Sequence, residues 1–400
     1  MERSQSKLAV QLGAGNIGRG LMGQLFRESG FVTVFADANV SLVDRLNERD
    51  SYPLRLLDAY TRQVHEFRID DFTALHASDV TAVAKAIASA GVVATAVGTA
   101  NLGPISPLLA AGIRRRFEQE ASPLDVYLCE NTLNAAATLS ESVFRQLNGQ
   151  AKAWAEAHIG FVGTSVARIV GGSGARSPQD DPLLVVADAH RDIPYDGKAV
   201  RAGRPAIEGF HPVENFQAEV ERKIFTHNVG HAALAYLGHL RGHTFIHETF
   251  EDDFVRSTFD GALDETTEAL LRRYPADLDR REHMEIRQDV RVRFSNPLLR
   301  DRIARVARDP IRKLGPDDRI IAAARLCMAR GIAPDHVATV CAAALCYDAP
   351  EDSCATRLQT TIRREGLQET LRLVSGIEPR SEFGEKVVAR YHDLQNQQRT

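Results

Sequence analysis

Three glycines near the start of the chain are spaced to bring a backbone turn close to a phosphate group. In the stretch VQLGAGNIGRG, from Val10 to Gly20, they follow an apolar run and precede apolar residues at helical spacing. A side chain at any of the three would obstruct a pyrophosphate, and the following helix would present free N–H groups to it. The spacing predicts a dinucleotide-binding turn, for which an ordinary glycine turn is the alternative. The predicted contact residues are Gly13, Ala14, Gly15, Asn16, Ile17 and Gly18.

A carboxylate follows this turn at the distance expected for a nucleotide site. The apolar stretch FVTVFADAN, residues 31–39, predicts a second strand that ends in Asp37, roughly the expected ~20 residues beyond the glycines. A carboxylate there accepts the two ribose hydroxyls of an adenosine and repels a 2′-phosphate, so it favours NAD over NADP. A plain turn residue is the alternative. Gly98, at the end of the strand predicted over 91–98, completes the predicted cofactor site.

A second group of polar residues is suited to act on a substrate. The stretch VERKIFTHNVGHA holds Lys223, Asn228 and His231, and CENTLN places Asn131 at the end of an apolar strand. On one α-helix, Asn228 and His231 share a face, and Lys223 lies about 80° round from His231 at ~100° per residue. All three can therefore reach one cleft. Taken singly, each has a structural alternative: a solvated lysine, a helix-internal asparagine or a core histidine.

The elements that must position these residues alternate between strands and helices in the first half of the chain. Strand patterns recur at residues 91–98, 125–131 and 158–163, separated by stretches of helical periodicity such as 106–119. This alternation predicts a Rossmann-type, doubly wound parallel sheet. Residues 51–69 predict an antiparallel excursion inserted between its strands.

The second half of the chain has a different pattern. From about Glu214 the periodicity is helical almost throughout, interrupted by turns that contain proline and glycine. The sequence therefore predicts an α/β protein in which an NAD-binding Rossmann-type domain, residues 1–200, precedes a mainly helical substrate-binding and catalytic domain, residues 201–400. Such sheets bind ligands at the carboxyl ends of their strands, so the substrate is expected in a cleft between the two domains.

Composition excludes several other classes of protein. The 400 residues carry a formal net charge of −4, with 44% hydrophobic and 26% charged residues, which gives no basic field for nucleic acid or anionic membranes. No apolar run approaches the ~20 residues of a membrane-spanning helix, and no signal peptide precedes the first strand, so a cytoplasmic protein is expected. The five cysteines are scattered, with no CxxC pair. They predict reduced thiols and no bound metal, so proton chemistry must come from side chains.

Four sequence blocks together resemble one family of enzymes. GAGNIGRG, ENTLN, VERKIFTHNVGHA and RFSNPLLRDRIARVARDPIRKLGPDDRII occur in the order and spacing of the polyol-specific long-chain dehydrogenases, the mannitol dehydrogenase family, over most of the chain. The resemblance implies that Lys223 is the general acid and base. It also implies that Asn131 and Asn228 polarise the reacting oxygen, that His231 hydrogen-bonds the substrate, and that no catalytic metal takes part.

Those residue types suit the oxidation of a secondary alcohol. The reaction sends a hydride from carbon to the nicotinamide and a proton from oxygen to a base. Lys223 can take that proton near neutral pH only if its pKa is lowered, and burial beside the positive nicotinamide ring acts in that direction. Neutral amide donors from Asn131 and Asn228 stabilise the developing alkoxide, and one such donor is commonly worth about 3 kcal/mol.

A run of positive charge predicts where a phosphate binds. In RDRIARVARDPIRK, residues 300–313, arginines and a lysine face only Asp301 and Asp309. A solvated helix with ion pairs is the alternative for the first part of this run. The PIRKL block resembles the phosphohexitol subgroup of the family, which implies Arg312 and Lys313 as ligands of a phosphomonoester.

Two segments depart from the family pattern. Ala167 precedes Arg168 where an aspartate is usual, Gly171 replaces a proline, and Thr99 stands where a proline is common. Both segments lie near the expected cleft, so the departures bear on the choice of substrate more than on the fold.

The resemblance implies a metal-independent, NAD-dependent oxidoreductase that interconverts D-mannitol 1-phosphate and D-fructose 6-phosphate. A dehydrogenase of an unphosphorylated hexitol or a hexuronate is the first alternative. A non-catalytic NAD-binding sensor is the second, and a methyltransferase using adenosylmethionine is a third, which the second domain disfavours. The expected partner is a small sugar phosphate or polyol, bound by a monomer or small homo-oligomer, with no nucleic acid and no membrane.

Overall fold

The chain divides into two compact units. The computed structural model describes residues 7–132, 134–171, 176–177 and 179–399. The first unit comprises the described residues up to Asp58, with Gln63–Val170 and the described part of Ser177–Glu219; the second comprises Ala59–Arg62, Gly171, Arg176 and the chain from Val220 onward.

The first unit is built on a parallel sheet. In chain order, the strands of the described residues are β1 Leu8–Leu12, β2 Val32–Asp37, β3 Tyr52–Leu57, β4 Val64–Ile69, β5 Phe72–His76, β6 Val92–Thr95, β7 Leu124–Leu128, β8 Ile159–Gly163, β9 Val185–Asp188, β10 Ile193–Asp196 and β11 Phe210–Val213. Six of them form one sheet, β5-β2-β1-β6-β7-β8, with all neighbours parallel. Numbered along the chain within this sheet, the order is 3-2-1-4-5-6, which is the Rossmann order. The predicted sheet is confirmed.

Helices flank the sheet and make up most of the second unit. In chain order they are α1 Gly23–Glu28, α2 Val40–Asn47, α3 Val80–Ser89, α4 Leu102–Glu118, α5 Ala135–Phe144, α6 Gly149–His158, α7 Phe216–Lys223, α8 Val229–Leu240, α9 Asp253–Arg273, α10 Arg280–Phe294, α11 Ile303–Ala307, α12 Pro310–Lys313, α13 Arg319–Ala329, α14 Asp335–Cys346, α15 Ser353–Glu365, α16 Leu367–Ser375 and α17 Glu382–Arg399. Two π-helical segments, Gly18–Met22 and Ile224–Asn228, lead into α1 and α8. The predicted helical second half is confirmed.

Both faces of the parallel sheet are covered by apolar side chains. Successive side chains along a strand point to opposite faces of the sheet, and β1 contributes apolar side chains to both. In β1, Val10 and Leu12 pack into one hydrophobic cluster, whereas Ala9 packs into another. The first cluster also holds Ile87 of α3 and Leu109 of α4. A strand covered on both sides is the usual condition of a parallel sheet, and it leaves only the strand ends for a ligand.

A smaller sheet accounts for the insertion within the first unit. The hairpin β3–β4 is antiparallel, as predicted for residues 51–69, and β9 joins β3 in parallel. Two features were missed by the sequence prediction: β5 is the edge strand of the large sheet, and β10 pairs with β11. Pro194 and Pro212 made strands look unfavourable in this stretch. Proline is nevertheless tolerated in β10 and β11, because each is an edge strand of a two-stranded sheet.

The second unit is centred on two helices that are buried on almost every side. Nearly every residue of α8 between Val229 and Gly238 is buried, as are nine consecutive residues of α14 from Val337 to Leu345. Helices that are apolar all round lie at the centre of a helical domain. Within the described ranges, no helix is long and apolar enough to cross a membrane.

Candidate active site

The glycine turn after β1 is shaped by two of its three glycines. Gly13 has φ 91°, and a Cβ placed on it would lie 2.6 Å from the Ala96 carbonyl oxygen. A Cβ on Gly18 would lie 1.9 Å from the carbonyl oxygen of Gly13. Both contacts are too close for any side chain, so the turn itself requires glycine at these two positions.

Gly15 differs from the other two because it faces open space. No atom lies within 4 Å of a Cβ placed there, and its φ is not in the left-handed region. The protein itself therefore does not require glycine at this position, which fits a backbone that a ligand approaches closely. Ala14 is buried, Ile17 is half-buried and Asn16 is exposed.

The contrast between these glycines gives a testable prediction. Gly18→Ala is expected to destabilise the protein without cofactor, because overpacking typically costs about 1–3 kcal/mol. Gly15→Ala is expected to keep the melting temperature of the wild type but to weaken NADH binding. Thermal melts without cofactor and fluorescence titrations with NADH measure the two effects. Equal melting temperatures for both variants, or unchanged NADH affinity in Gly15→Ala, would contradict this assignment.

Asp37 closes the turn at the end of β2. Its Oδ2 accepts a hydrogen bond from Ala14 N at 2.7 Å, and its Oδ1 accepts one from Asn39 N at 2.8 Å. Because β1 and β2 are parallel neighbours, the glycine turn and Asp37 lie at the same edge of the sheet. The sequence prediction placed the glycine turn and Asp37 in one nucleotide site, and in the structure they are in direct contact through Ala14 N and the Asp37 carboxylate.

A buried carboxylate that the sequence prediction did not single out holds the next part of this edge. Glu130 follows β7, and it accepts hydrogen bonds from Thr95 Oγ1 at 2.6 Å and from Val97 N at 3.0 Å. Burial raises its pKa. Glu130 thus joins the ends of β6 and β7, immediately before the exposed Asn131 and beside Gly98, whose φ is 85°. The CENTLN stretch could have indicated this role, because a carboxylate that directly follows a buried strand needs hydrogen-bond donors from neighbouring strands.

The remaining predicted catalytic residues lie together in the second unit, on a helix with an irregular phase. Lys223 ends α7, the π-helical segment Ile224–Asn228 follows, and His231 lies in the first turn of α8. A π-helical turn takes up about one extra residue, which removes about one 100° step. The predicted offset of about 80° between Lys223 and His231 therefore falls to roughly 20°, and Asn228 stays about 60° from His231. The continuous α-helix of the sequence prediction was wrong, and the correction brings the lysine and the histidine closer to one face.

The Lys223 amine has the property that proton transfer at neutral pH requires. Burial lowers its pKa to about 7, with the positive charge of Arg319 acting in the same direction and Asp318 opposing it. Arg319 begins α13, where Asp318 accepts from its backbone N at 2.6 Å and from its Nε at 2.8 Å. A lysine with a pKa near 7 can both accept and return a proton.

His231 is held by a carboxylate and an aromatic ring. Its Nε2 lies 2.9 Å from Oδ2 of Asp301, and its ring stacks on Phe294 with centroids 4.4 Å apart. Asp301 also pairs with Arg305, at 2.7 Å. Burial lowers the pKa of His231, although Asp301 acts in the opposite direction. Asn228 is itself buried, at 5% exposure.

The two predicted phosphate ligands have different surroundings. The half-exposed Arg312 donates from Nε to Asp309 at 2.8 Å and from Nη1 to Asp318 at 2.9 Å. Lys313 is buried and its amine donates to the Arg308 carbonyl. Burial lowers the pKa of Lys313 to about 7, and Arg319 and Arg312 lower it further. Lys313 therefore shares Arg319 and Asp318 with Lys223 as electrostatic neighbours.

The segments that depart from the family pattern are ordered by other contacts. Arg168 is buried and donates to the Gly20 and His190 carbonyls and to Gln24 Oε1. It therefore supports the first unit directly. Thr99 begins the 3-10 turn Thr99–Asn101 before α4.

Metal ligation has no candidate in the part of the chain that the structure describes. No group of three or more His, Cys, Asp or Glu side chains there is placed to hold an ion. All five cysteines are free thiols, three of them buried.

A sheet of Rossmann order followed by a helical unit is the architecture of two-domain, Rossmann-type dehydrogenases. Residues 7–209 match the mannitol dehydrogenase Rossmann domain, and residues 214–395 match the mannitol dehydrogenase C-terminal domain. The chain belongs to the mannitol dehydrogenase family.

Two curated relatives match nearly the whole chain. The chain is 40% identical to a mannitol-1-phosphate 5-dehydrogenase of Brevibacillus brevis over 370 residues, covering 92% of this chain and 94% of that protein. It is 33% identical to one of Caldanaerobacter subterraneus subsp. tengcongensis over 386 residues, covering 96% and 98%.

Solved structures share the fold. Mannitol 2-dehydrogenase of Pseudomonas fluorescens, in a ternary complex with NAD and D-mannitol, is similar with a TM-score of 0.78 at 21% identity, over 99% of this chain and 93% of that one. A substrate-free D-sorbitol dehydrogenase is similar with a TM-score of 0.76 at 16% identity, over 99% and 97%.

Proposed function

We propose that the protein interconverts D-mannitol 1-phosphate and D-fructose 6-phosphate with NAD as cofactor and Lys223 as general acid and base. The observation that carries the proposal is the Lys223 amine, whose pKa is about 7 in a unit that also holds Asn228 and His231. Supporting it, the relatives that are 40% and 33% identical are named mannitol-1-phosphate 5-dehydrogenases.

The cofactor is NAD, and the residues of the first unit fit it. The open space at Gly15 leaves room for a pyrophosphate, and the Asp37 carboxylate next to the turn suits the ribose hydroxyls. When bound, the nicotinamide accepts or supplies the hydride. In functional terms we assign cofactor binding to residues 1–200, together with the catalytic Asn131, and the other catalytic residues and substrate binding to residues 201–400.

In the oxidation direction, neutral Lys223 takes the hydroxyl proton as the hydride leaves carbon. In reduction, protonated Lys223 returns a proton to the carbonyl oxygen. Asn228 and Asn131 donate hydrogen bonds to this oxygen and stabilise the negative charge that develops on it. His231 binds a further hydroxyl and so fixes the orientation of the polyol chain.

For the phosphate, Arg312 and the protonated form of Lys313 are the proposed ligands. Lys313 is expected to contribute more, because its amine is buried and Arg312 already pairs with Asp309 and Asp318. The pairing of Arg312 with these two aspartates favours a second candidate function, the oxidation of an unphosphorylated hexitol. A carboxylate-paired arginine is a weaker phosphate ligand than an unpaired one.

An absorbance assay at the nicotinamide band tests the proposal. NADH is incubated with fructose 6-phosphate, fructose and a keto-uronate, and the rates are compared. The proposal expects fructose 6-phosphate to be used far better than the other two. Equal use of fructose and fructose 6-phosphate would support the second candidate, and no turnover of any of the three would overturn both.

A preference for NADH over NADPH is expected from Asp37. A 2′-phosphate beside this carboxylate adds like-charge repulsion. Asp37→Asn keeps an oxygen to accept from Ala14 N but removes the charge, so we expect it to narrow the preference while the turn stays intact. Asp44→Asn, at an exposed position of α2, is the matched control. Catalytic efficiencies with the two cofactors decide the point, and a wild-type preference for NADPH would refute the assignment.

A further inference from the structure

The Asp301 carboxylate lies between two side chains of the second unit and binds both. It is 5% exposed. Its Oδ2 faces His231 Nε2 at 2.9 Å. Its Oδ1 accepts a hydrogen bond from Nε of Arg305 at 2.8 Å and lies 2.7 Å from Nη2 of the same guanidinium. One buried group therefore fixes a histidine of the proposed site and balances the neighbouring positive charge.

The charge state of Asp301 determines which nitrogen of His231 carries the proton. Burial alone would raise the pKa of Asp301, but the hydrogen bond from His231 and the charge of Arg305 outweigh it, and the pKa is lowered. An ionised carboxylate can only accept hydrogen bonds. Nε2 of His231 must therefore be the donor.

The other nitrogen then has the opposite role. Burial lowers the pKa of His231, and the charges of Arg305 and Arg319 lower it further. Asp301 acts in the opposite direction but does not outweigh burial. The imidazole is accordingly neutral near pH 7 and carries a single proton, which lies on Nε2. Nδ1 is left with a lone pair and acts as an acceptor.

We propose that Asp301 is a positioning residue that fixes His231 as a hydrogen-bond acceptor, through Nδ1, for a hydroxyl group of the polyol substrate. This inference rests on the proposed function and adds the polarity of the contact to it. A hydroxyl can donate to Nδ1 and a carbonyl oxygen cannot. The histidine therefore selects a hydroxyl over a carbonyl at the substrate position that it contacts.

The loop around Asp301 is held by backbone contacts that do not need its side chain. Ile246 N donates to the Asp301 carbonyl at 2.9 Å, and Ile303 N donates to the Thr244 carbonyl at 3.0 Å. An isosteric change of the carboxylate to an amide is therefore expected to leave the loop folded. Asp301→Asn can satisfy only one of its two partners as an acceptor, since its NH₂ group must face the other donor.

The first test reads the tautomer in the wild-type protein and needs no substrate. In protein labelled with ¹⁵N-histidine, long-range ¹H–¹⁵N correlations distinguish the Nε2–H form, the Nδ1–H form and the imidazolium. The His231 signals are identified by their loss in His231→Gln. The proposal expects the neutral Nε2–H form at pH 7.5. An Nδ1–H form or an imidazolium would overturn it, whatever the enzyme turns over.

The second test compares variants. Asp301→Asn is expected to reduce the Nε2–H population and to raise the KM for fructose 6-phosphate by about tenfold, with NADH affinity unchanged. Asp264→Asn makes the same change at an exposed aspartate that pairs with the largely buried Arg287, and it should match the wild type. A change in only one of the two readouts overturns the proposal, as does a change in neither. If the wild type uses fructose equally well, the proposed function fails, and KM is then measured with fructose.

Discussion

Replacing Lys223 with alanine is expected to lower turnover of fructose 6-phosphate by about 10²–10⁴-fold, the usual effect of removing a general acid or base. NADH affinity should stay close to that of the wild type, because the lysine acts on the substrate oxygen and the proposed cofactor residues lie in the first unit. Stopped-flow single turnovers measure the first effect and NADH fluorescence titration the second.

Two controls separate proton transfer from general damage. Lys152→Ala removes an exposed lysine that pairs with Glu156, and it should leave turnover unchanged. A small primary amine added to Lys223→Ala should restore part of the rate, since it can occupy the vacated position and carry the proton. Retention of more than about a tenth of wild-type activity by Lys223→Ala lies outside the expected range and would require another base.

The pH dependence of the wild type follows from the pKa of Lys223, which is about 7. Oxidation needs the neutral amine, so its rate should rise with pH and level off above about 7. Reduction needs the ammonium form, so its rate should be highest below about 7 and fall above it. Opposite profiles for the two directions identify one group that serves both.

The second large effect concerns the phosphate. Lys313→Ala is expected to raise the KM for fructose 6-phosphate by roughly 10- to 100-fold, because a hydrogen bond to a charged group contributes about 1.5–3 kcal/mol. The KM for fructose should change much less. Arg312→Ala should have a smaller effect, since Arg312 already binds Asp309 and Asp318. Steady-state kinetics give the KM of each variant for fructose 6-phosphate and for fructose, to be compared with the wild type.

Charge and pH provide the control for this prediction. Arg308→Ala removes an equal charge from an exposed position of the same run, so its KM for fructose 6-phosphate should remain near that of the wild type. Burial lowers the pKa of Lys313 to about 7, and only the protonated amine attracts a phosphate. The wild-type KM should therefore rise above about pH 7, and Lys313→Ala should lose most of that rise. Equal changes of KM for fructose and fructose 6-phosphate would contradict the assignment.

Much of the fold could be predicted because its signals are local. The glycine turn, the strand that ends in Asp37 and the antiparallel hairpin over residues 51–69 each depend on a few neighbouring residues. The edge strand β5 gave no such signal, since only one of its five residues is buried and its pattern does not alternate. Its place in the sheet depends on pairing with β2, which is a tertiary effect.

The candidate site shows the same division. Lys223, Asn228 and His231 lie within nine residues and could be found from the sequence. The partner of His231 could not, because Asp301 lies 70 positions further along the chain. Glu130 likewise binds Thr95 across 35 positions. In the sequence, Asp301 and Glu130 look like any solvated aspartate or glutamate. Only folding brings their hydrogen-bond donors next to them.

The π-helical segment Ile224–Asn228 has a consequence for how mutations affect this protein. Loss of a single codon within the segment would let the backbone close into a regular α-helix, which is the more common helical form. The lost residue is the one that the π-turn takes up, so Lys223 and His231 would stay about 20° apart on the shortened helix. In an ordinary α-helix, loss of one residue instead turns one end of the helix by about 100° relative to the other. Provided that Asn228 itself is kept, these codons are therefore the part of the helix in which loss of one residue disturbs the catalytic face least.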